Sequence, residues 1–406
     1  MNIKNSLTGL SLALMGLGLA GCGSDSNDDH GGTGGGEVVT CQKPDRSNSM
    51  RVYAHFMPWF ETNTTNLDNG KWGWHWTMNA SLNPGQGEIA SHYHPLTGAY
   101  ASGDPVVLDY QCLLMKYSGI EGVMVDWYGS DADNNTARHT SNTMALFKAI
   151  EKAGLKMAIV YEDQTVSSAS DPVGKAREDM RYLAKNFFGS ESYTKVEDKP
   201  LLLVFGPQGL NTPKDWYRTF QVLENKPAFI VLNGHTDKVN DGSYHNSIGE
   251  YLWVNPTPEE WYQSAKSRFS MLIGGAMPGF HDYYKEGGSG DGYTKYDDEG
   301  GALFDKQLKA AKNAGLEWLQ ISTWNDYGEG TIIEPTKEFG YRYLTKLQDF
   351  TGVKYKETDL QQIYRWYQLK VKYANDIAKS KTLNECYNYF NALLPEKATA
   401  LMNTIE

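Results

Sequence analysis

Apolar positions along this chain gather into short β-branched and aromatic runs, each followed by a stretch with helical spacing of its apolar residues. The runs predict strands at 51–60, 120–128, 155–162, 200–205, 227–233, 250–254, 271–278 and 317–323. The helical patterns fall at 106–118, 143–153, 172–188, 213–223, 258–269 and 302–314. Asp, Thr or Pro opens many of them, and Gly119, Gly154, Gly189 and Gly315 close them, as helix ends require. The connection between the fifth and sixth strands has only a weak helical pattern. Strand–helix units repeating every ~30–45 residues build a parallel sheet, and eight of them predict an α/β fold closed as a (β/α)8 TIM barrel. A doubly wound open sheet is the alternative, but no Gly-x-Gly-x-x-Gly follows the first strand to support it. Beyond Gly352, residues 360–394 are helical and carry Tyr364, Trp366, Tyr367, Tyr373, Tyr387 and Tyr389. The barrel is therefore placed at 49–352, with a helical extension at 353–406 packed on it.

The first 22 residues are different in kind. Lys4 precedes an apolar stretch over 7–20, which ends in Leu19-Ala20-Gly21-Cys22. That is too short to span a bilayer with flanks and has the form of an export signal. Small residues directly before a cysteine resemble a bacterial lipobox, which makes Cys22 the lipidated first residue of the mature chain. A soluble secreted protein cleaved nearby is the other reading. Gly23, where an Asp would signal inner-membrane retention, favours the outer membrane by the same resemblance. Residues 23–48 begin GSDSNDDHGGTGGGE, too polar to bury a core, and are expected to form a flexible tether in which His30 is incidental. No later segment approaches ~20 consecutive apolar residues.

Net charge narrows the ligands. At −11 the chain lacks the basic balance that nucleic acid demands. Its 11 Trp and 26 Tyr suit a neutral or weakly charged polyhydroxylated ligand. Cys112 lies in an apolar helical run and is expected to be a buried thiol, while Cys41 and Cys386 flank the domain and are candidates for a disulfide. No Cys or His spacing suggests a metal site, and no cofactor is expected.

Candidate chemistry concentrates at strand ends. ISTWNDYGEG (321–330) places Asp326 and Glu329 three positions apart, just past an apolar strand. In a β/α barrel the loops at that end converge over the mouth. Paired acids are what glycoside hydrolysis needs: one protonates the leaving oxygen, the other supplies or unmasks a nucleophile. The same register on other strands offers His55 and Trp59, then Trp72, Trp74, His75 and Trp76 in the loop that follows. It also offers Asp126, Trp127 and Tyr128, then Glu162, Asn233, Trp253, His281 and Asp282, and finally Trp324, Asn325 and Tyr327. Each has a plain alternative: Asp126 could cap a helix, and His55 could be a hydrogen-bonded core histidine. Their coincidence at one end of seven strands favours a shared substrate site, with the tryptophans as stacking platforms for sugar rings.

AHFMPWF (54–60) with KWGWHW (71–76), VDWYG (125–129), MPGFHD (277–282) and TWNDYGEGTIIEP (323–335) together resemble glycoside hydrolase families 99 and 71. These comprise endo-α-mannosidases, endo-α-mannanases and α-1,3-glucanases on a (β/α)8 barrel, and the likeness runs over roughly residues 50–350. In family 99 the matching stretch is WNEWHEG. Its second acid, the general acid/base, corresponds to Glu329. Its first acid helps the substrate's own 2-hydroxyl attack C1 with net retention, and corresponds to Asp326. Here Asp stands for Glu and Tyr-Gly for Trp-His, so the reach of the first acid shifts by about 1 Å. Asp126, Glu162 and Asp282 are the carboxylates that could take its place. The resemblance implies an exported, endo-acting, retaining glycosidase acting on an α-linked polysaccharide or glycan, alongside other polysaccharide-utilisation proteins. A non-catalytic surface glycan-binding lipoprotein on a degenerate barrel is the principal alternative. A glycosyltransferase-associated protein is a lesser one, since activated sugar donors are cytoplasmic and this chain carries an export signal.

Overall fold

The computed structural model describes residues 39–131, 133–134 and 137–405. The expected export signal, Cys22 and the expected tether as far as residue 38 lie outside the described residues. Eight parallel strands form the centre: β1 (Arg51–Phe56), β2 (Gly122–Trp127), β3 (Lys156–Tyr161), β4 (Lys199–Val204), β5 (Ala228–Leu232), β6 (Ser247–Tyr251), β7 (Met271–Ala276) and β8 (Trp318–Ile321). They pair in chain order, and β8 returns to β1 with Ile321 opposite Ala54, which closes the barrel. The expected strands ran one to four residues too far at their carboxyl ends. Residues 57–60, for example, are apolar yet already part of a loop.

Helices α1 (Pro105–Tyr117), α2 (His139–Ala153), α3 (Pro172–Leu183), α4 (Pro213–Phe220), α5 (Glu259–Ala265), α6 (Ala302–Asn313) and α7 (Arg342–Thr351) follow the strands. Local chemistry starts them. Asp104 accepts from the N–H groups of Val106 and Val107, Asp171 from that of Gly174, and Thr212 from that of Asp215. Between β5 and β6 there is only a 3-10 turn, Thr236–Lys238, which accounts for the weak helical pattern there. The extension is three helices, α8 (Glu357–Lys372), α9 (Ile377–Asn391) and α10 (Pro395–Met402). Leu360, Ile363, Trp366 and Phe390 join the same apolar cluster as the barrel's outer wall, so the extension packs on the barrel.

Strand alternation divides the core in two. Val52, Ala54 and Phe56 of β1 face the helices, together with Val123, Val125 and Trp127 of β2. Tyr53, Met124, Val160, Leu203, Ile230, Tyr251, Ile273 and Trp318 fill the barrel interior. The last inward positions of β1 and β2 are His55 and Asp126, so polar groups top an apolar plug.

Two expectations need correction here. The composition predicts a flexible tether as far as residue 48, but residues 39–48 are fastened to the barrel: Arg46 pairs with Glu121 at 3.2 Å, and Asn48 Nδ2 donates to Phe350 O at 3.0 Å. Cys41, Cys112 and Cys386 are all free thiols, and no disulfide joins Cys41 to Cys386. Cys41 Sγ instead accepts from Lys116 Nζ and donates to Ala153 O, both at 3.3 Å.

Candidate active site

The loop after β8 is fixed before it presents its acids. Trp324 N donates to His55 O at 2.7 Å. Asn325 grips the strand beside it from both sides, its Oδ1 accepting from Met57 N at 2.8 Å and its Nδ2 donating to Met57 O at 3.0 Å. Asp326 N donates to Thr323 Oγ1 at 2.7 Å, and Glu329 N donates to Asp326 Oδ1 at 2.9 Å. The loop is also sewn to the one after β7, His281 N donating to Glu329 O and Tyr283 N to Gly328 O, each at 2.9 Å. Gly330, at φ +70°, closes it; a Cβ there would stand 2.6 Å from His281 O. Only glycine meets both demands. The Ser322–Thr323 peptide that leads into the loop is cis.

Asp326 and Glu329 open into one cavity of about 170 Å³ at the carboxyl ends of the strands. His55, Trp59, Asp126, Tyr128, Glu162 and Trp253 line it as well, so eight of the sequence-predicted residues meet there. Against the ~300–1,000 Å³ of typical ligand pockets this is small, and it fits a single ring. Trp253 closes one side, edge-on to both His55 and Phe205. Trp59 is stacked on His75 at 4.0 Å, so the second ring stiffens the platform from behind. Trp59 Nε1 and Glu329 Oε2 are shut from solvent with no protein partner among the described residues.

The acids are held in different states. Burial raises Asp326 to about 6, with the Glu329 and Gly328 N–H groups pulling the other way. Burial and the charge of Asp326 push Glu329 well above the ordinary range, only partly countered by a hydrogen bond from Tyr284 OH at 3.3 Å. Asp126 is also driven far up, by burial and then by the charge of Glu162, with which it shares a hydrogen bond. Glu162 rises to about 7, chiefly by burial, while hydrogen bonds from Asp126 and Gln164 favour its charged form. Near neutrality, therefore, Glu329 holds a proton and Asp326 is ionised, while Asp126 and Glu162 behave as a proton-sharing pair. Burial lowers His55 to about 4, so its ring is neutral; its Nδ1 lies 3.3 Å from Gln320 Oε1.

Several predicted contacts sit elsewhere. Trp127 follows inward-facing Asp126 on the strand, so it points outward and stacks on Tyr182 in the helical layer. Trp324 and Asn325 are wholly buried beneath the loop. Trp76 is buried too, donating from Nε1 to Tyr100 O. Tyr327 turns away to donate to Glu334 Oε2 at 2.8 Å. Asp282 shapes its own loop by accepting from Tyr284 N and Tyr293 N, and His281 stacks on His92 at 3.7 Å. Trp72, Trp74 and Asn233 are half-buried and do not line the cavity. Conversely, the cavity includes Met57, Gln164, Phe205 and Tyr284, which the sequence did not single out. Tyr284 lies two positions beyond Asp282, the last candidate at that strand end.

An acid kept protonated beside one kept ionised, over a single-ring cavity walled by aromatic side chains on a closed barrel, is the equipment of glycosidic-bond hydrolysis, and the chain is a glycoside hydrolase. Its family follows from similarity: the model of glycosyl hydrolase family 99 matches residues 74–371, and the chain belongs to that family. A glycoprotein endo-alpha-1,2-mannosidase-like protein of Danio rerio is 20% identical over 351 residues, 76% of each chain. The Homo sapiens protein of the same description is 21% identical over 273 residues, 61% of this chain and 58% of its own. Among solved structures, the GH99 endo-alpha-mannosidase from Bacteroides thetaiotaomicron superposes with a TM-score of 0.60 at 21% identity, over 75% of this chain and 97% of that one. That likeness shows a shared barrel fold.

Proposed function

We propose that this glycosidase is endo-acting and retaining, and cleaves an α-linked polysaccharide or glycan with Glu329 as acid/base and Asp326 as its partner. One observation carries the reading: two acids three residues apart share a cavity, where burial and the charge of Asp326 push Glu329 well up while backbone N–H groups favour the charged form of Asp326. Glu329 gives its proton to the departing glycosidic oxygen. Ionised Asp326 accepts the proton of the sugar's 2-hydroxyl as that oxygen closes on C1. Glu329, now ionised, then draws a proton from the water that attacks C1 as the bond from C1 to the 2-oxygen breaks, and Asp326 returns its proton to that oxygen, which restores both acids and leaves the anomeric configuration unchanged. The names of the relatives make α-1,2-linked mannosides the first substrates to test.

Among the described residues four carboxyl groups and no lysine or arginine line the cavity, which favours a ring without carboxylate or sulfate. The lipobox-like start supports a cell-envelope lipoprotein, anchored through Cys22 in the outer membrane and working with other polysaccharide-utilisation proteins.

The test is a panel of α-linked polysaccharides, with NMR of the anomer first released. Initial release of the α-anomer is expected. The β-anomer would mean inversion, and the role of Asp326 would pass to a base that positions water, with Asp126 or Glu162 the first candidates.

A further inference from the structure

The end of the barrel opposite the catalytic cavity has its own chemistry. A depression of about 740 Å³ opens there, around the amino ends of the strands. Arg51, Lys195, Lys199, Lys226 and Lys266 stand on it, against Glu197 and Glu317. An adjoining cavity adds Lys43, Arg46 and Lys156. Glu121 lies between the two and is already shared by Arg46 and Arg51, at 3.2 and 2.5 Å. In a chain of net charge −11 this is a concentration of the minority sign. The cations also crowd one another. Burial and the charge of Lys199 hold Lys226 below its ordinary range, and burial and Lys43 do the same to Lys156.

The chain enters the barrel at this same end. Arg46 donates to Gly119 O, just before β2, and Asn48 reaches Phe350 O at the end of α7. Only residues 23–38 separate the described chain from Cys22, and even fully extended they reach at most ~55 Å.

We infer that this amino-terminal face is a docking surface for anionic phospholipid. Lys195, Lys199 and Lys226 meet headgroup phosphates, and the catalytic mouth is turned away from the bilayer toward arriving glycan. The direction of the anchor rests on the lipoprotein reading, while the docking chemistry rests on the cations alone. Each such cation is attracted to an anionic surface, and several together are enough to orient a tethered domain.

The experiment uses the full chain on vesicles of phosphatidylcholine and on vesicles of phosphatidylcholine with phosphatidylglycerol. Lysine acetylation is read peptide by peptide. On the anionic vesicles, labelling of Lys195, Lys199 and Lys226 should slow by about tenfold or more, while exposed Lys285 near the catalytic mouth is unaffected. High salt should restore it, because such contacts are screened. Lys195→Glu with Lys199→Glu should remove the protection at Lys226, whereas Lys372→Glu with Lys381→Glu on the helical extension should not. Equal labelling on both vesicle types, or protection of Lys285 instead, would overturn the inference. The mass of the amino-terminal peptide tests lipidation of Cys22 separately, and unchanged hydrolysis of a soluble substrate keeps the catalytic reading apart.

Discussion

Three residues, Asp326, Glu329 and Tyr284, set the protonation on which the chemistry depends. Because Asp326 must be ionised and sits near 6, kcat/KM should fall as pH drops through about 6. Asp326→Asn should erase that limb together with most of the activity. An acid limb that persists in the variant would assign it to another group, Glu162 first. Tyr284 OH donates to Glu329 and so favours its charged form. Tyr284→Phe should therefore raise the alkaline limb of the pH profile, since Glu329 would keep its proton to higher pH; a limb moving down would mean the hydroxyl acts elsewhere. Asp326 and Glu329 were legible because paired acids at a strand end carry a chemical reason for being there. The strand-end run puts Trp127 in the site beside Asp126, although period-2 alternation turns adjacent residues of a strand to opposite faces; with Asp126 inward, Trp127 points outward. Tyr284 gave no such signal, because its role depends on a hydrogen bond between loops distant in sequence.

The element that decides the site is the loop after β8. Its shape comes from the Asn325 clamp on Met57, the stitches to the loop after β7, and the glycine that closes it. Gly330→Ala adds a Cβ against His281 O at a left-handed φ, a strain of about 1–3 kcal/mol. Activity should drop by at least ~10-fold with the barrel still folded, since displacements near 1 Å suffice for such losses. Near-normal kcat in a folded variant would show that the loop tolerates the shift. Strands and capped helices were readable because their periodicity and caps are local. Helix α7 was overlooked, for its pattern follows the long polar loop of the site and no cap residue announces it: Tyr341, at its N-cap, offers no side-chain bond. The apolar residues 57–60 extended a predicted strand because burial in a loop over the barrel mouth looks the same, in sequence, as burial in a sheet.

For the whole molecule, closure of the barrel followed from eight repeated units, whereas the attachment of residues 39–48 rests on contacts with Glu121 and Phe350 that no local pattern reveals. Buried titratable groups tie folding to pH from both sides. Glu334, buried under Tyr100, Tyr327 and Gln111, is raised to about 7, so its stabilising effect is full below ~4.5 and is lost as pH rises through about 7. His55, lowered to about 4, acts in the opposite sense, and stability falls as pH drops from about 6.5 toward that value. From about pH 4.5 to 6.5 the two effects oppose each other, so together they should leave Tm nearly level there. Relative to the wild type, Glu334→Gln should gain stability at pH 8 over pH 5 by up to the equivalent of ~3 kcal/mol, and an unchanged difference in Tm between the two pH values would remove Glu334 from the account. The most direct measurement is oligosaccharide release from an α-linked polysaccharide by the wild type and by Glu329→Gln. The account predicts at least ~10²-fold slower turnover in the variant with substrate binding nearly intact. Turnover at the wild-type rate would contradict it.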